Sequence, residues 1–131
     1  MIAPHTASDG GLRIEIFVRD LERSARFYAG VLGFTRESPD AHYAPMRRGA
    51  AVIGIGLLDG LPPDHPLRAH DGERVGLGVE IVLEVDDVDA MHRAVLRADW
   101  PVQTPLGERP WGLRDFRLLD PDGYYLRITS R

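Results

Sequence analysis

The sequence contains no cysteine. That absence removes thiol nucleophiles, disulfides, thiolate metal sites and iron–sulfur clusters together, and it accords with a reducing cytoplasm. No apolar run approaches the roughly 20 residues a membrane helix needs. The opening stretch, Met1 to Gly11, lacks the basic start and apolar segment of a secretory signal, so it reads as a frayed tail. A basic stripe is missing too. Arginines and acidic residues are interspersed and the net charge is −4, which argues against nucleic acid as a partner. None of Ser8, Ser24, Ser38 and Ser130 sits in a nucleophile elbow. Gly54-Ile55-Gly56 lacks the third glycine and the helix opening of a phosphate loop. What is present is an ordinary globular composition: 131 residues, 44% hydrophobic and 27% charged, enough for one domain with a real core.

Hydropathy alternates from Leu12 to Val18, with Ile14, Ile16 and Val18 on one face and Arg13, Glu15 and Phe17 on the other. Period-two alternation predicts a strand between two different surroundings. Asp20 then suits a helix N-cap, and Leu21, Ala25, Tyr28 and Leu32 recur at helical spacing up to a glycine stop at Gly33. A short strand over Phe34 to Glu37 and a strand pair, His42 to Arg48 and Ala51 to Leu58, complete this half. The stretch from Asp59 to Gly76, with Pro62, Pro63 and Pro66, reads as a linker.

The pattern then restarts. Val79, Ile81, Leu83 and Val85 oppose Glu80, Val82 and Glu84 on a strand. Asp86-Asp87 opens a helix with Val88, Met91, Val95 and Ala98 on one stripe. Val102 to Pro105 is a short extended piece, Leu113 to Leu119 a strand, Asp120-Pro121-Asp122-Gly123 a turn, and Tyr124 to Thr129 the last strand. Val18-Arg19-Asp20-Leu21 corresponds to Val85-Asp86-Asp87-Val88, each at a strand-to-helix junction. The chain therefore reads as residues 1–11 tail, 12–58 first module, 59–76 linker and 77–131 second module, within one compact α+β domain. One helix cannot cover both faces of its sheet, so two such units must pair, within one chain or between two.

Arg19-Asp20-Leu21-Glu22-Arg23-Ser24 with Phe27-Tyr28 and Val31-Leu32-Gly33-Phe34 resembles the first module of the glyoxalase/bleomycin-resistance/extradiol-dioxygenase (vicinal oxygen chelate) superfamily. Val79 to Asp87 resembles the opening of its second module, and Asp120-Pro121-Asp122-Gly123-Tyr124 its closing hairpin. The resemblance implies paired βαβββ modules whose mixed sheets curl around a cleft, usually in a dimer, either domain-swapped or side by side. Gly107-Glu108-Arg109-Pro110-Trp111-Gly112, with Phe116 and the Asp120-Pro121 turn, resembles the antibiotic-binding branch typified by bleomycin-resistance proteins, where this loop borders the drug groove.

The resemblance also supplies four metal-ligand positions. They fall on Arg13, near Gly54 to Gly56, on Glu80 and on Arg127. Arginine stays protonated and coordinates no cation, so no metal and no cofactor is expected. Arg13, Glu80 and Arg127 instead form a salt-bridge cluster, contact a ligand, or both. Glu15 and Glu84 share their faces. Phe17, Tyr43, Trp111, Phe116 and Tyr125 are candidate aromatic walls. The histidines (His5, His42, His65, His70 and His92) read as ordinary polar residues. The expected function is metal-independent binding of a small molecule, a cationic or aromatic natural product, by a cytoplasmic homodimer that sequesters it. The alternative is a lyase, isomerase or dioxygenase with a rearranged or absent metal, using Glu80 or Glu84 as general base.

Overall fold

The computed structural model describes residues 10–131. Met1 to Asp9, with His5 and most of the segment read as a tail, lie outside the described residues. In the first half, β1 (Ile14–Val18) leads into α1 (Leu21–Gly30), followed by β2 (Thr35–Arg36), β3 (Tyr43–Arg48) and β4 (Ala51–Leu57). The second half repeats this with β5 (Glu80–Glu84), α2 (Val88–Arg97), β6 (Thr104–Glu108), β7 (Arg114–Leu119) and β8 (Tyr125–Thr129). The sheet orders are β1-β4-β3-β2 and β5-β8-β7-β6. In each sheet the first and last strands of the module pair parallel and the other pairs are antiparallel. These are the two βαβββ modules of the expected α+β fold.

Both predicted helix starts form. The Asp20 carboxylate accepts from the Arg23 amide at 3.1 Å, and the Asp87 carboxylate from the Ala90 amide at 2.9 Å. Each cap satisfies one of the amides that open a helix. Most boundaries lie within one residue of the periodicity, and three elements differ more clearly. Helix α1 stops at Gly30, and Leu32 is buried just beyond it, before Gly33 turns the chain at φ 78°. Strand β2 shrinks to two residues, because Phe34 leaves the ladder to sit in the core. Strand β6 instead runs on to Glu108, through a register shift between Thr104 and Gly107. The irregularity accommodates Pro105, which has no amide to donate to a ladder.

Alternate residues of both sheets form one core against the helices: Ile16, Val18, Ile53, Ile55, Phe116, Leu118 and Ile128 pack with Phe27, Tyr28, Met91 and Val95. Phe116 belongs to this core and not to a cleft, and the His92 ring meets it edge-on with centroids 5.0 Å apart. Trp100 packs on Phe27 at 4.7 Å and donates its indole N–H to the Leu119 carbonyl at 2.8 Å.

The modules are joined through α1 and the turn between β7 and β8. Asp120 is buried; its Oδ1 accepts from the amides of Asp122, Gly123 and Tyr124 at 2.9, 3.0 and 3.0 Å. Its Oδ2 accepts from the Tyr28 hydroxyl of the other module at 2.8 Å. Burial pushes the Tyr28 hydroxyl well above its ordinary value, so it stays a donor. Asp122 accepts from the Arg19 amide at 3.0 Å and the Ser24 hydroxyl at 3.2 Å. The Tyr124 hydroxyl donates to the Phe17 carbonyl at 2.8 Å and accepts from the Phe17 amide at 3.2 Å, standing in for the neighbour that edge strand β1 lacks.

The Pro-rich connection is more than a spacer. Val75 is buried, Arg68 donates to the Leu61 carbonyl at 2.6 Å, and Arg19 donates to the Glu73 carbonyl at 2.7 Å. Among the described residues no helix is long and apolar enough to cross a membrane.

Candidate functional site

Strand parity decides what each sheet presents on its open face, the one opposite its helix. On the first sheet this face carries Glu15 and Phe17 from β1, with Arg13 just before that strand at the same parity, and Tyr43 from β3, above Gly54 and Gly56 of β4. The Glu15 carboxylate accepts from the Tyr43 hydroxyl at 2.9 Å, and Arg13 Nε lies 3.6 Å from Glu15. Burial, followed by the hydrogen bond to Glu15, holds the Tyr43 hydroxyl above its ordinary value. The two glycines make this arrangement possible. A Cβ on Gly54 would lie 2.0 Å from a Glu15 oxygen and 2.1 Å from the Tyr43 hydroxyl, and one on Gly56 would lie 3.1 Å from the Phe17 ring. In the sequence Gly54 registers only as a missing ligand. Its role as the floor under a charged and an aromatic side chain depends on pairings that no local pattern reveals. A groove of about 490 Å³ adjoins Glu15 and Phe17 and is bounded by Leu67, Arg68, Val75 and Tyr124.

On the second sheet the open face carries Glu80 and Glu84 from β5, Tyr125 and Arg127 from β8, and Asp115 and Arg117 from β7. Glu80 Oε1 lies 3.3 Å from Arg127 and Oε2 lies 3.8 Å from Arg117. Asp115 is completely buried. Its Oδ1 accepts from Arg109 Nε at 2.7 Å, and Oδ2 lies 3.5 Å from Arg117. Arg109 also donates to the carbonyls of Pro105 and Asp115, which pins the β6–β7 loop. Trp111, on that loop and 53% exposed, stands with its ring centroid 6.0 Å from the Arg127 guanidinium. A hydrogen bond with Tyr125, then one with Asp115, raises the pKa of Arg117. Glu84 lies further along β5, opposite Thr129, and is exposed.

The structure thus divides the sequence-derived site residues into two sets. Arg13, Glu15, Phe17 and Tyr43 share one open face; Glu80, Glu84, Trp111, Tyr125 and Arg127 belong to the other. Among the described residues no hydrogen bond or ion pair joins a side chain of one set to a side chain of the other. Sequence reasoning missed Asp115, Arg117 and Arg109. Their signal is weak: only the parity of Asp115 and Arg117 with Arg127, across a pairing the sequence does not print.

The four metal positions of the resemblance do not fit a metal. Arg13 and Arg127 offer guanidinium groups, the stretch Gly54 to Gly56 offers no ligand side chain, and Glu80 is already engaged by two arginines. Among the described residues no three His, Cys, Asp or Glu side chains are grouped so as to hold a cation elsewhere. Of the histidines, His65 accepts from the Leu67 amide at 3.0 Å and His42 lies 3.7 Å from Asp40 in an exposed turn.

No curated protein sequence matches the chain. Solved structures do. A member of the glyoxalase/bleomycin resistance protein/dioxygenase superfamily from Sphaerobacter thermophilus DSM 20745 aligns with TM-score 0.71 and 21% identity, over 95% of this chain and 99% of that one. TioX from Micromonospora sp. ML1 aligns with TM-score 0.72 and 22% identity, over 92% and 98%. A lactoylglutathione lyase from Agrobacterium tumefaciens aligns with TM-score 0.69 and 16% identity, over 92% and 93%. At these identities the likeness is one of fold. The sequence model of the Glyoxalase/Bleomycin resistance protein/Dioxygenase superfamily matches residues 5–128, and with two βαβββ modules in the order found here the chain belongs to that superfamily.

Proposed function

We propose that this protein is a small-molecule binding protein of the bleomycin-resistance type, which sequesters its ligand and does not transform it. The observation that carries the reading is the donor set: Arg13, the stretch Gly54 to Gly56 and Arg127 stand where the resemblance sets the metal ligands of the superfamily's enzymes, and Glu80 is tied to two guanidiniums. Glu80 is therefore engaged in ion pairs at 3.3 and 3.8 Å and does not face an open position as a general base needs to. Flat walls remain. The Phe17 ring lies over Gly56, Tyr43 reaches over Gly54, and Trp111 is half exposed at the rim. Such surfaces hold planar molecules by stacking and apolar contact.

The test is a titration of the purified protein with planar aromatic ligands, a bleomycin-type glycopeptide among them, read by tryptophan fluorescence and by calorimetry. Trp111 is the exposed reporter; Trp100 is packed and hydrogen-bonded. Saturable quenching at micromolar or tighter affinity is expected. Trp111→Ala should remove the signal and weaken binding about tenfold or more, as central aromatic contacts do. Gly54→Ala should also weaken binding by displacing Glu15 and Tyr43, at a stability cost of only about 1 kcal/mol, because both ends can swing aside. Stoichiometric bound metal in the purified protein, or silence with every ligand, would sink the reading.

The proposed working form is a homodimer in which the open face of one module meets that of the other module in the second copy. Its support is apolar: Leu12, Leu77, Val79 and Val82, on or next to the free edges of β1 and β5, are 90%, 69%, 53% and 43% exposed. Light scattering should return twice the chain mass. The mass of one chain would remove the pairing and leave two separate half-sites.

A further inference from the structure

The second open face carries a charge arrangement that salt bridges alone do not complete. Arg117 and Arg127 stand directly opposite each other on β7 and β8. Like charges in that relation repel, so the pair costs stability unless anions neutralise it. The anions present fit loosely. Glu80 reaches Arg127 at 3.3 Å and Arg117 at 3.8 Å, and Asp115 reaches Arg117 at 3.5 Å, whereas Asp115 holds Arg109 at 2.7 Å. The Nε atoms of Arg117 and Arg127 are both buried and have no hydrogen-bond partner among the described residues. A buried N–H without an acceptor is costly, and such groups are uncommon in folded proteins. The guanidiniums are about three-quarters buried, with side-chain exposures of 22% and 24%, so bulk water screens them only in part. Arg109, Arg117 and Arg127 against Asp115 and Glu80 leave one positive charge in excess.

From this arrangement we infer that the Arg117–Arg127 pair is a receptor for the carboxylate of an aromatic acid, whose ring stacks beside Trp111. A guanidinium fork matches a planar carboxylate with two parallel hydrogen bonds. One carboxylate balances the single excess charge, whereas a phosphate dianion would overshoot it. Trp111, with its ring centroid 6.0 Å from Arg127, places an apolar plane beside the anion site. The ligand is thus an aromatic anion, which keeps the aromatic half of the sequence expectation and replaces the cationic half. The inference rests on the small-molecule binding reading and narrows it to a charge class.

Three isosteric probes separate the two: 2-naphthoate, the neutral 2-naphthamide and the cationic 2-naphthylmethylammonium, each titrated into the intact protein by calorimetry at low and high chloride. The acid should bind about tenfold or more tightly than the amide, the gain of one charge-assisted hydrogen bond, and high chloride should erode that margin. Arg127→Gln and, independently, Arg117→Gln should abolish the preference of the acid over the amide. Arg127→Lys should restore part of it. Circular dichroism of each variant establishes that it is folded. If the acid and amide bind equally, or the ammonium binds tightest, the anion receptor is overturned and the binding reading stands. If none of the three binds, the anion receptor is overturned, and the binding reading is decided separately by the titration with the glycopeptide and the other planar ligands.

Discussion

Asp120→Ala should cost the protein about 3–5 kcal/mol, the largest loss expected from any single polar substitution here. The carboxylate gathers four donors: three amides of its own turn and the Tyr28 hydroxyl from the other module. Alanine leaves the phenol, which is completely buried, with no acceptor. For a domain of this size the thermal midpoint should fall by roughly 10–15 °C. Tyr28→Phe removes one donor and leaves the carboxylate its three amides, so it should cost only about 1–2 kcal/mol. A double-mutant cycle should show the two losses to be less than additive, since they break the same bond. Additive losses would mean that the link between modules carries no energy of its own. The pH dependence has a definite sign. Burial raises the Asp120 carboxyl above its ordinary value, opposed by its hydrogen bonds, from Tyr28 first. The native state then takes up this proton at higher pH than the unfolded chain does. As pH falls through that window, wild type should gain stability relative to Asp120→Asn. A relative loss would show that the donors outweigh burial.

Asp115→Ala should cost about 2–4 kcal/mol and act on the site as well as on the fold. Asp115 is fully buried and is the only carboxylate within ion-pair reach of Arg109 among the described residues. Breaking a buried pair by removing one partner strands the other charge. The figure sits below the full range for buried pairs because the Arg109 side chain keeps 21% exposure and finds some water. Arg109 also ties the β6–β7 loop to the sheet, so the variant should loosen the segment that carries Trp111. Urea denaturation gives the stability loss, and faster hydrogen exchange of the Arg109 and Gly112 amides, which bond within that loop, gives the loosening. Removing both partners in Asp115→Ala/Arg109→Ala should recover part of the stability but not the loop order. Unchanged exchange in Asp115→Ala would detach Arg109 from any role in holding Trp111.

The sequence by itself determined the local elements and their repetition. Asp20 and Asp87 cap helices because a carboxylate beside the first free amides needs no distant partner. Alternation in 14–18 and 80–84 sorts core from open face because a strand has period two wherever it sits. That parity also placed Arg13, Glu15 and Phe17 together, and Tyr125 with Arg127 by the same rule. Glycine at Gly33 marked a left-handed turn, although packing of Leu32 moved the helix end earlier. Only the tertiary structure decided the rest. Asp120 and Tyr28 are 92 residues apart, and nothing near either one announces the other. Tyr124 reads as the first residue of a strand, yet its hydroxyl caps the edge of β1 across 107 residues. Gly54 matters because Glu15 and Tyr43 close over it from two neighbouring strands. The charge balance around Arg127 depends on Arg117 facing it across a ladder and on Arg109 folding back from a loop. Local capping and periodicity are settled by neighbours a few residues away. Cross-strand pairing and burial are settled by where the whole chain packs, and there Arg127, which the resemblance sets at a metal position, stands in an arginine cluster.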